Sequence, residues 1–216
     1  MKILLTKHRP DNLARHISNY LKAFHEVHHL PAFVDIRHIE DQSIPQDTQV
    51  LINCAGVTDM HPLQEWTHDD ITHVISNNLV GAITLTNAFV RRTIDQPGRK
   101  VIIHIGSLWS RKCATGGSVY SASKAGLAQY VACAGYELRT KGYNVIGLHP
   151  GNILGTGMTA EVQRNLMERR GMTQSTIAAI YAEAIEPIVV AQAIKSLIEC
   201  DRLTGENIYL GDGDHR

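Results

Sequence analysis

The sequence predicts an α/β protein built as one domain on a doubly wound parallel sheet. Two observations carry this. Short, nearly continuous apolar runs recur along the chain, the pattern of strands covered on both faces. Segments with apolar residues at helical spacing lie between them, and alternating strand and helix signals build such a sheet. The length of 216 residues suits a single unit of this kind.

The elements follow in order. The run 3–6 opens the sheet, and Leu13, Ile17, Tyr20, Leu21 and Phe24 form the stripe of a first helix. A weaker run at 26–30 follows, then VLINC at 50–54. Ile71, Val74, Ile75, Leu79 and Ala82 continue to Leu85 and Phe89 as one long helix. VIIHI at 101–105 precedes an Ala- and Leu-rich helix over 120–138. NVIGLH at 144–149, a helix over 189–198 and NIYL at 207–210 complete the pattern. Residues 151–184 carry mixed polar helix patterns and no clear strand. An insertion placed so late sits at the carboxyl edge of the sheet, where ligands bind. It reads as a substrate lid or as an ordinary pair of surface helices.

Composition narrows the partners. Lys+Arg and Asp+Glu are both 21, so no net charge draws the chain to nucleic acid or an anionic membrane. No window approaches the ~18–20 apolar residues of a membrane span. The first residues lack the apolar stretch of a secretory signal. A cytoplasmic location is expected. The four cysteines lack C-x-x-C pairing and read as reduced structural thiols. Twelve histidines include no H-E-x-x-H, and His28 and His29 would face opposite sides of a strand, so no metal is expected.

The chemistry concentrates in Tyr120-Ser121-Ala122-Ser123-Lys124. On a helix, Tyr120 and Lys124 share a face. A phenol with its ordinary pKa near ~10 is a poor acid or base at neutral pH, and a neighbouring ammonium lowers it. Alone, the pair is equally an ordinary Tyr and Lys on an amphipathic helix. Ser107 follows the strand 101–105 and Gly106, placing a hydroxyl where a substrate oxygen would need one. Asn53-Cys54-Ala55-Gly56 ends the preceding strand with small residues that let a ligand approach the backbone. Asn78 sits mid-helix, where Asn is disfavoured, so a hydrogen-bonding task is expected of it. Pro150-Gly151 turns the chain at the same edge.

The ordered set N-C-A-G at 53–56, N-L-V-G at 78–81, I-G-S at 105–107, Y-S-A-S-K at 120–124, P-G-N-I-L-G-T at 150–156 and T-G-E-N-I-Y-L-G-D-G at 204–213 resembles the short-chain dehydrogenase/reductase family. The resemblance implies a single NAD(P)-binding Rossmann-type domain over 1–216, with 152–184 as substrate lid. It implies hydride transfer between a nicotinamide and a small carbonyl or secondary alcohol. Tyr120 would be the acid/base. Lys124 would tune it and hold the nicotinamide ribose, Ser107 would orient the carbonyl, and Asn78 would hold a water in a relay reaching Lys124. Asn53, Ala55 and Gly56 would line the cofactor, with Pro150, Gly151, Ile153 and Thr156 on its nicotinamide side. Asp35 resembles the family's acidic residue beside the adenine. The helices at 68–91 and 120–140 resemble those that join subunits into homodimers and homotetramers.

Two departures stand out. The first strand-to-helix turn, Thr6 to Arg15, has no glycine, although the family's turn is glycine-rich so that the pyrophosphate can approach the helix N-terminus. Lys7, Arg9 and Arg15 offer direct phosphate pairing instead. This favours NADP(H) over NAD(H), as does the lack of an acidic residue ending the second strand. Only residues 31–49 separate the second and third strands, so a helix or edge strand of the family is lost or reduced there. The glycine-free turn favours a rival reading, a non-catalytic nucleotide-sensing or scaffolding protein. The intact Ser107, Tyr120 and Lys124 favour the enzyme. A sugar-nucleotide epimerase of the extended branch shares Y-x-x-x-K, but the chain is short for it.

Overall fold

The computed structural model describes residues 1–6, 13–30, 35–113 and 115–211. Six strands form one sheet: β1 (Lys2–Leu5), β2 (Glu26–His29), β3 (Val50–Asn53), β4 (Lys100–Ile105), β5 (Tyr143–Pro150) and β6 (Glu206–Leu210). Their order is β2-β1-β3-β4-β5-β6, and every pairing is parallel. The helices are α1 (Leu13–Leu21), α2 (His68–Ile75), α3 (Gly81–Thr93), α4 (Ser118–Leu138), α5 (Gly157–Arg170), α6 (Gln174–Ile180) and α7 (Pro187–Glu199).

Period-two alternation sorts the apolar strands onto two cores. Ile3, Leu5, Val50, Ile52, Val101, Ile103, Ile146 and Leu148 face α1 and α7, where Ile17, Leu21, Val190 and Ile194 meet them. Leu4, Leu51, Ile102 and Val145 face the other way, against Leu85 and Phe89 of α3 and Val131 and Ala134 of α4. Each such side chain contributes about 1.5–3 kcal/mol on leaving water. Both faces are therefore sealed, as the unbroken apolar runs require. Between β2 and β3 the described residues hold only two single turns, 36–38 and 41–43, and no strand, in line with the shortening expected there.

One element departs from the sequence reading. The helix expected across 71–89 is interrupted by a π-turn at Ser76–Val80, which separates α2 from α3. Close packing accounts for it at both ends. A Cβ on Gly81 would come within 2.9 Å of the Ile36 side chain. The buried Asn78 side chain reaches out of the turn to Val57 in the loop after β3.

The chain order reverses between β1 and β3, and the two strand ends are stitched there. The Thr6 hydroxyl donates to Asn53 Oδ1 at 2.9 Å and accepts from the Cys54 and Ala55 amides at 2.9 and 3.1 Å. This switch point at the carboxyl edge is where doubly wound sheets hold ligands. No helix among the described residues is long and apolar enough to cross a membrane.

Helix α4 lies against the entry to β6 so closely that a Cβ on Gly135 would fall 2.2 Å from the Gly205 amide nitrogen. The obstacle is backbone and cannot swing aside. Gly135→Ala is expected to lower stability by about 1–3 kcal/mol, read as a shift of the chemical denaturation midpoint; an unshifted midpoint contradicts this packing.

Candidate active site

The first turns of α4 carry the central residues. Tyr120, Ser123 and Lys124 are buried at 7%, 0% and 3% exposure. Positions i, i+3 and i+4 form one helical face, which is turned to the ends of β3 and β4. The Lys124 ammonium donates to the Ile105 carbonyl at 3.0 Å and lies 5.7 Å from the Tyr120 ring centroid. Ser107, just beyond β4, hydrogen-bonds the Tyr120 phenol through its hydroxyl and accepts from the Trp109 amide at 3.2 Å. Trp109 meets the Tyr120 ring edge-on, with centroids 5.6 Å apart at 87°. Of the two expected partners, Ser107 contacts Tyr120 directly and Lys124 lies beyond its ring.

The electrostatics differ from the sequence expectation. Burial pushes the Tyr120 phenol up to about 12, and the Ser107 hydrogen bond opposes this only in part. Burial likewise lowers the Lys124 ammonium to about 8. A phenol depressed by its neighbouring lysine was expected. Here loss of solvent sets the direction, and the Ser107 hydrogen bond is what opposes it. Tyr120 is thus a neutral phenol, a proton donor, across the neutral range.

Behind this pair lies a second layer. Asn78 Oδ1 accepts from the Val57 amide at 2.8 Å, while its Nδ2 donates to the Val57 carbonyl at 2.9 Å and to Ser123 Oγ at 3.0 Å. The Ser123 hydroxyl in turn donates to the Tyr120 carbonyl at 2.7 Å. Asn78 therefore ties the loop after β3 to the catalytic helix through its side chain, and any water it held would meet its backbone. Asn53 is also buried; its amide reaches His104 Nδ1 at 3.3 Å, and His104 Nε2 reaches Thr86 at 3.0 Å. Burial drops His104 to about 3, so it remains neutral.

A cavity of about 910 Å³ opens over these residues. It runs from Leu13 and Ala14 at the start of α1, past Ala55 and Gly56, to Ser107, Tyr120, Lys124, Pro150, Gly151, Ile153 and Thr156. Nine of the sequence-derived site residues meet there. Asn53 and Asn78 brace the wall from behind and do not line it. Asp35 is elsewhere: it caps the turn 36–38 and pairs with Arg37 at 2.6 Å, which holds its carboxyl at about 2. Lys7 and Arg9 lie outside the described residues. Arg15 is on the exposed side of α1. Thr156 caps α5 by accepting from the Thr159 amide at 3.2 Å.

The cavity wall also contains residues the sequence reading missed. Cys54 lines it, its thiol pushed up to about 12 by burial; its place inside the N-C-A-G run was the available signal. The other side is formed by α5 and α6. Leu166 and Ile177 pack on Met60, with Trp109, Val162, Met172 and Tyr181 around them. Arg169 of α5 donates to the Met60 carbonyl and to His61 Nδ1, both at 2.9 Å. His61 Nε2 faces Asp59 at 3.0 Å. Asp59, His61 and Asp70 have their ligand-type atoms within 4.8 Å of one another. The guanidinium of Arg169, 3.8 Å from Asp59, already supplies a cation at this cluster.

The family model for short chain dehydrogenase matches residues 33–167. The chain belongs to the short-chain dehydrogenase family. Carbonyl reductase family member 4 of Danio rerio is 32% identical over 76% of this chain and 64% of its own length. Ketoacyl reductase HetN of Nostoc sp. is 31% identical over 67% of this chain and 50% of its own. The chain thus spans half to just under two-thirds of these relatives. Among solved structures, ElxO with NADP bound superposes with a TM-score of 0.80 at 16% identity, covering 97% of this chain and 96% of that one. An actinorhodin polyketide ketoreductase with NADPH gives 0.77 at 20% identity, covering 96% and 85%. These last two share the fold. Family membership also explains why the ordered motifs, each weak alone, meet around one cavity.

Arg169 is part-exposed, so its ion pair contributes little to global stability. Arg169→Ala is expected to shift the unfolding midpoint by less than about 1 kcal/mol while speeding protease cleavage within 157–184. Unchanged cleavage would show that the apolar contacts alone hold this segment.

Proposed function

We propose that this protein is an NADP(H)-dependent oxidoreductase that interconverts a small carbonyl compound and its secondary alcohol. The observation that carries the reading is the joining of Ser107, Tyr120 and Lys124 in one wall of a cavity that begins at α1 and ends under α5 and α6.

The residues suit a nicotinamide nucleotide. Position 56 has little room: a Cβ there would come 3.2 Å from Asn78 Oδ1, a tight contact, and 3.5 Å from Lys124 Nζ, an ordinary one. Ile153 forms a bridge with Ile185 that uses the Asn152 carbonyl and the Leu154 amide, so Ile153's own N–H takes no part in it. That N–H would meet the carboxamide. Lys124 spends one hydrogen bond on Ile105 and keeps donors for the ribose hydroxyls. Ala55 and Gly56 would lie along the nucleotide, Pro150, Gly151 and Thr156 beside its nicotinamide half. Lys7, Arg9 and Arg15 would pair with phosphates, the reason for preferring NADP(H). The bound nucleotide would supply or accept the hydride.

The chain supplies the rest. Ser107 holds the substrate oxygen against Tyr120. In the reducing direction the Tyr120 phenol gives its proton to that oxygen as the carbonyl carbon gains hydride, leaving an alcohol. Burial keeps the phenol protonated, the form from which this direction starts, but also weakens it as an acid, which the neighbouring ammonium offsets. Lys124 stabilises the phenolate left behind. Asn78 positions Ser123 and the catalytic helix. Helices α5 and α6 serve as the substrate lid, with Trp109 between lid and Tyr120. The names of the relatives, which include ketoacyl reductase, carbonyl reductase and 3-oxoacyl-[acyl-carrier-protein] reductase, make 3-oxoacyl compounds the first substrates to try.

Titration with NADPH and with NADH, followed by nicotinamide fluorescence, tests the reading; no binding of either at millimolar concentration overturns it. Tyr120→Phe is expected to cut turnover by about 100-fold or more with the melting temperature unchanged, and full activity in that variant refutes the acid role. NADPH affinity is expected to fall by about tenfold as pH rises from 7 to 9. Lys124 passes there from ammonium to amine, since its value near 8 lies inside that window, and one charge-assisted hydrogen bond is lost. A flat binding profile would place Lys124 outside the nucleotide site.

A further inference from the structure

We propose that His149, as a neutral imidazole, is a positioning residue that fixes the backbone of Ser107 and links it through Asn207 to the helix bearing Tyr120 and Lys124. The proposal deepens the oxidoreductase reading and rests on it for any effect on turnover.

His149 is fully buried next to last in β5. The Ser107 amide donates to its Nδ1 at 3.2 Å, and the Ser110 hydroxyl lies 3.2 Å from the same nitrogen. An amide N–H can only donate, so Nδ1 accepts and the ring proton sits on Nε2. Nε2 then donates to Asn207 Oδ1 at 2.7 Å. The Asn207 amide donates onward to the Ala128 carbonyl at 3.0 Å, one turn beyond Lys124 on α4. A continuous chain of hydrogen bonds thus runs from the Ser107 loop to the catalytic helix, and each member has one consistent donor direction.

The backbone makes room for this chain at two glycines. A Cβ on Gly106 would fall 2.2 Å from His149 Nδ1. A Cβ on Gly147 would fall 2.2 Å from Asn207 Oδ1 and 2.7 Å from His149 Nε2. Any other residue at either site would expel the ring or the amide. The imidazole also stacks on Tyr209, with centroids 4.6 Å apart at 28°, and Arg111 lies over the Tyr209 ring at 3.9 Å.

Protonation would break the arrangement. A proton on Nδ1 would oppose the Ser107 N–H and would seek the Ser107 carbonyl, which is also 3.2 Å away. The Ser107 peptide would have to turn, carrying its hydroxyl off Tyr120. The surroundings act mostly against the charge. Burial lowers the basicity of His149 first, and Lys124 from α4 and Arg111 from the turn after β4 lower it further. Asn207 and the Ser107 carbonyl act the other way. His104 faces it from β4, itself neutral, and Tyr209 from β6.

The test follows the Ser107 amide and the His149 ring by nuclear magnetic resonance from pH 7.5 downward, in the wild type and in Asn207→Asp. The expected result is one shared midpoint for ring and amide. The new carboxylate should raise it by a unit or more, and the acid limb of kcat should move with it. A Ser107 amide that ignores the ring, or an acid limb that stays in place while the ring midpoint moves, overturns the proposal. If the ring remains neutral down to acid unfolding, His149→Phe and His149→Gln decide. Phe keeps the ring volume without the acceptor and should cost about 100-fold in kcat; Gln retains an acceptor and should restore part of it. Equal activity in both variants overturns the proposal. If no carbonyl is turned over at all, the oxidoreductase reading fails separately, while the shared titration of amide and ring still decides the link between His149 and Ser107.

Discussion

The geometry of the site hangs on one buried charge. An ammonium removed from water must find acceptors or lose its proton. Lys124 finds the Ile105 carbonyl, at the last residue of β4. That contact pins the second turn of α4 to the sheet edge and so determines where Tyr120, one turn earlier, can stand. Ser107 is two residues past Ile105 and arrives at the phenol from the same strand end. Remove the Lys124 contact and the helix and the serine loop lose their common reference.

The fold was legible because its strands are sealed on both faces. VLINC and VIIHI have no polar alternation to disguise them, and β3 and β4 appear within a residue of where those runs lie. The shortened stretch before β3 was legible from length alone. The break between α2 and α3 was not. Ser76-Asn77-Asn78 interrupts neither the apolar stripe nor its spacing, and the π-turn arises from Ile36 and Val57, which are distant in sequence.

The site was legible where chemistry and spacing coincide, and opaque where burial decides. Tyr120 and Lys124 share a helical face as i and i+4 positions must, and the ends of β3, β4 and β5 bring Ala55, Ser107 and Gly151 to them. The direction of the Tyr120 shift could not be read, since a sequence shows the neighbouring lysine and hides the lost solvent. Asp35 resembles the acidic residue beside the adenine, yet a residue two positions away, Arg37, pairs with its carboxylate. Cys54 and His149 look in the sequence like ordinary strand-end residues. Only the fold reveals that one lines the cavity and that two glycines make space for the other.

The π-turn carries a consequence for how this chain can change over time. A turn closed over five residues is an α-helix that has gained one residue without losing its direction. Deleting a residue between Ser76 and Val80 would restore ordinary helical hydrogen bonding and improve the local backbone. It would leave Leu85 and Phe89 facing the sheet they now seal, because the wider turn already absorbs the extra residue. What it would remove is the outward reach of Asn78 to Val57 and Ser123. The irregular turn is therefore tied to the bracing of the site and not to the core, and the extra residue can be lost only together with those contacts.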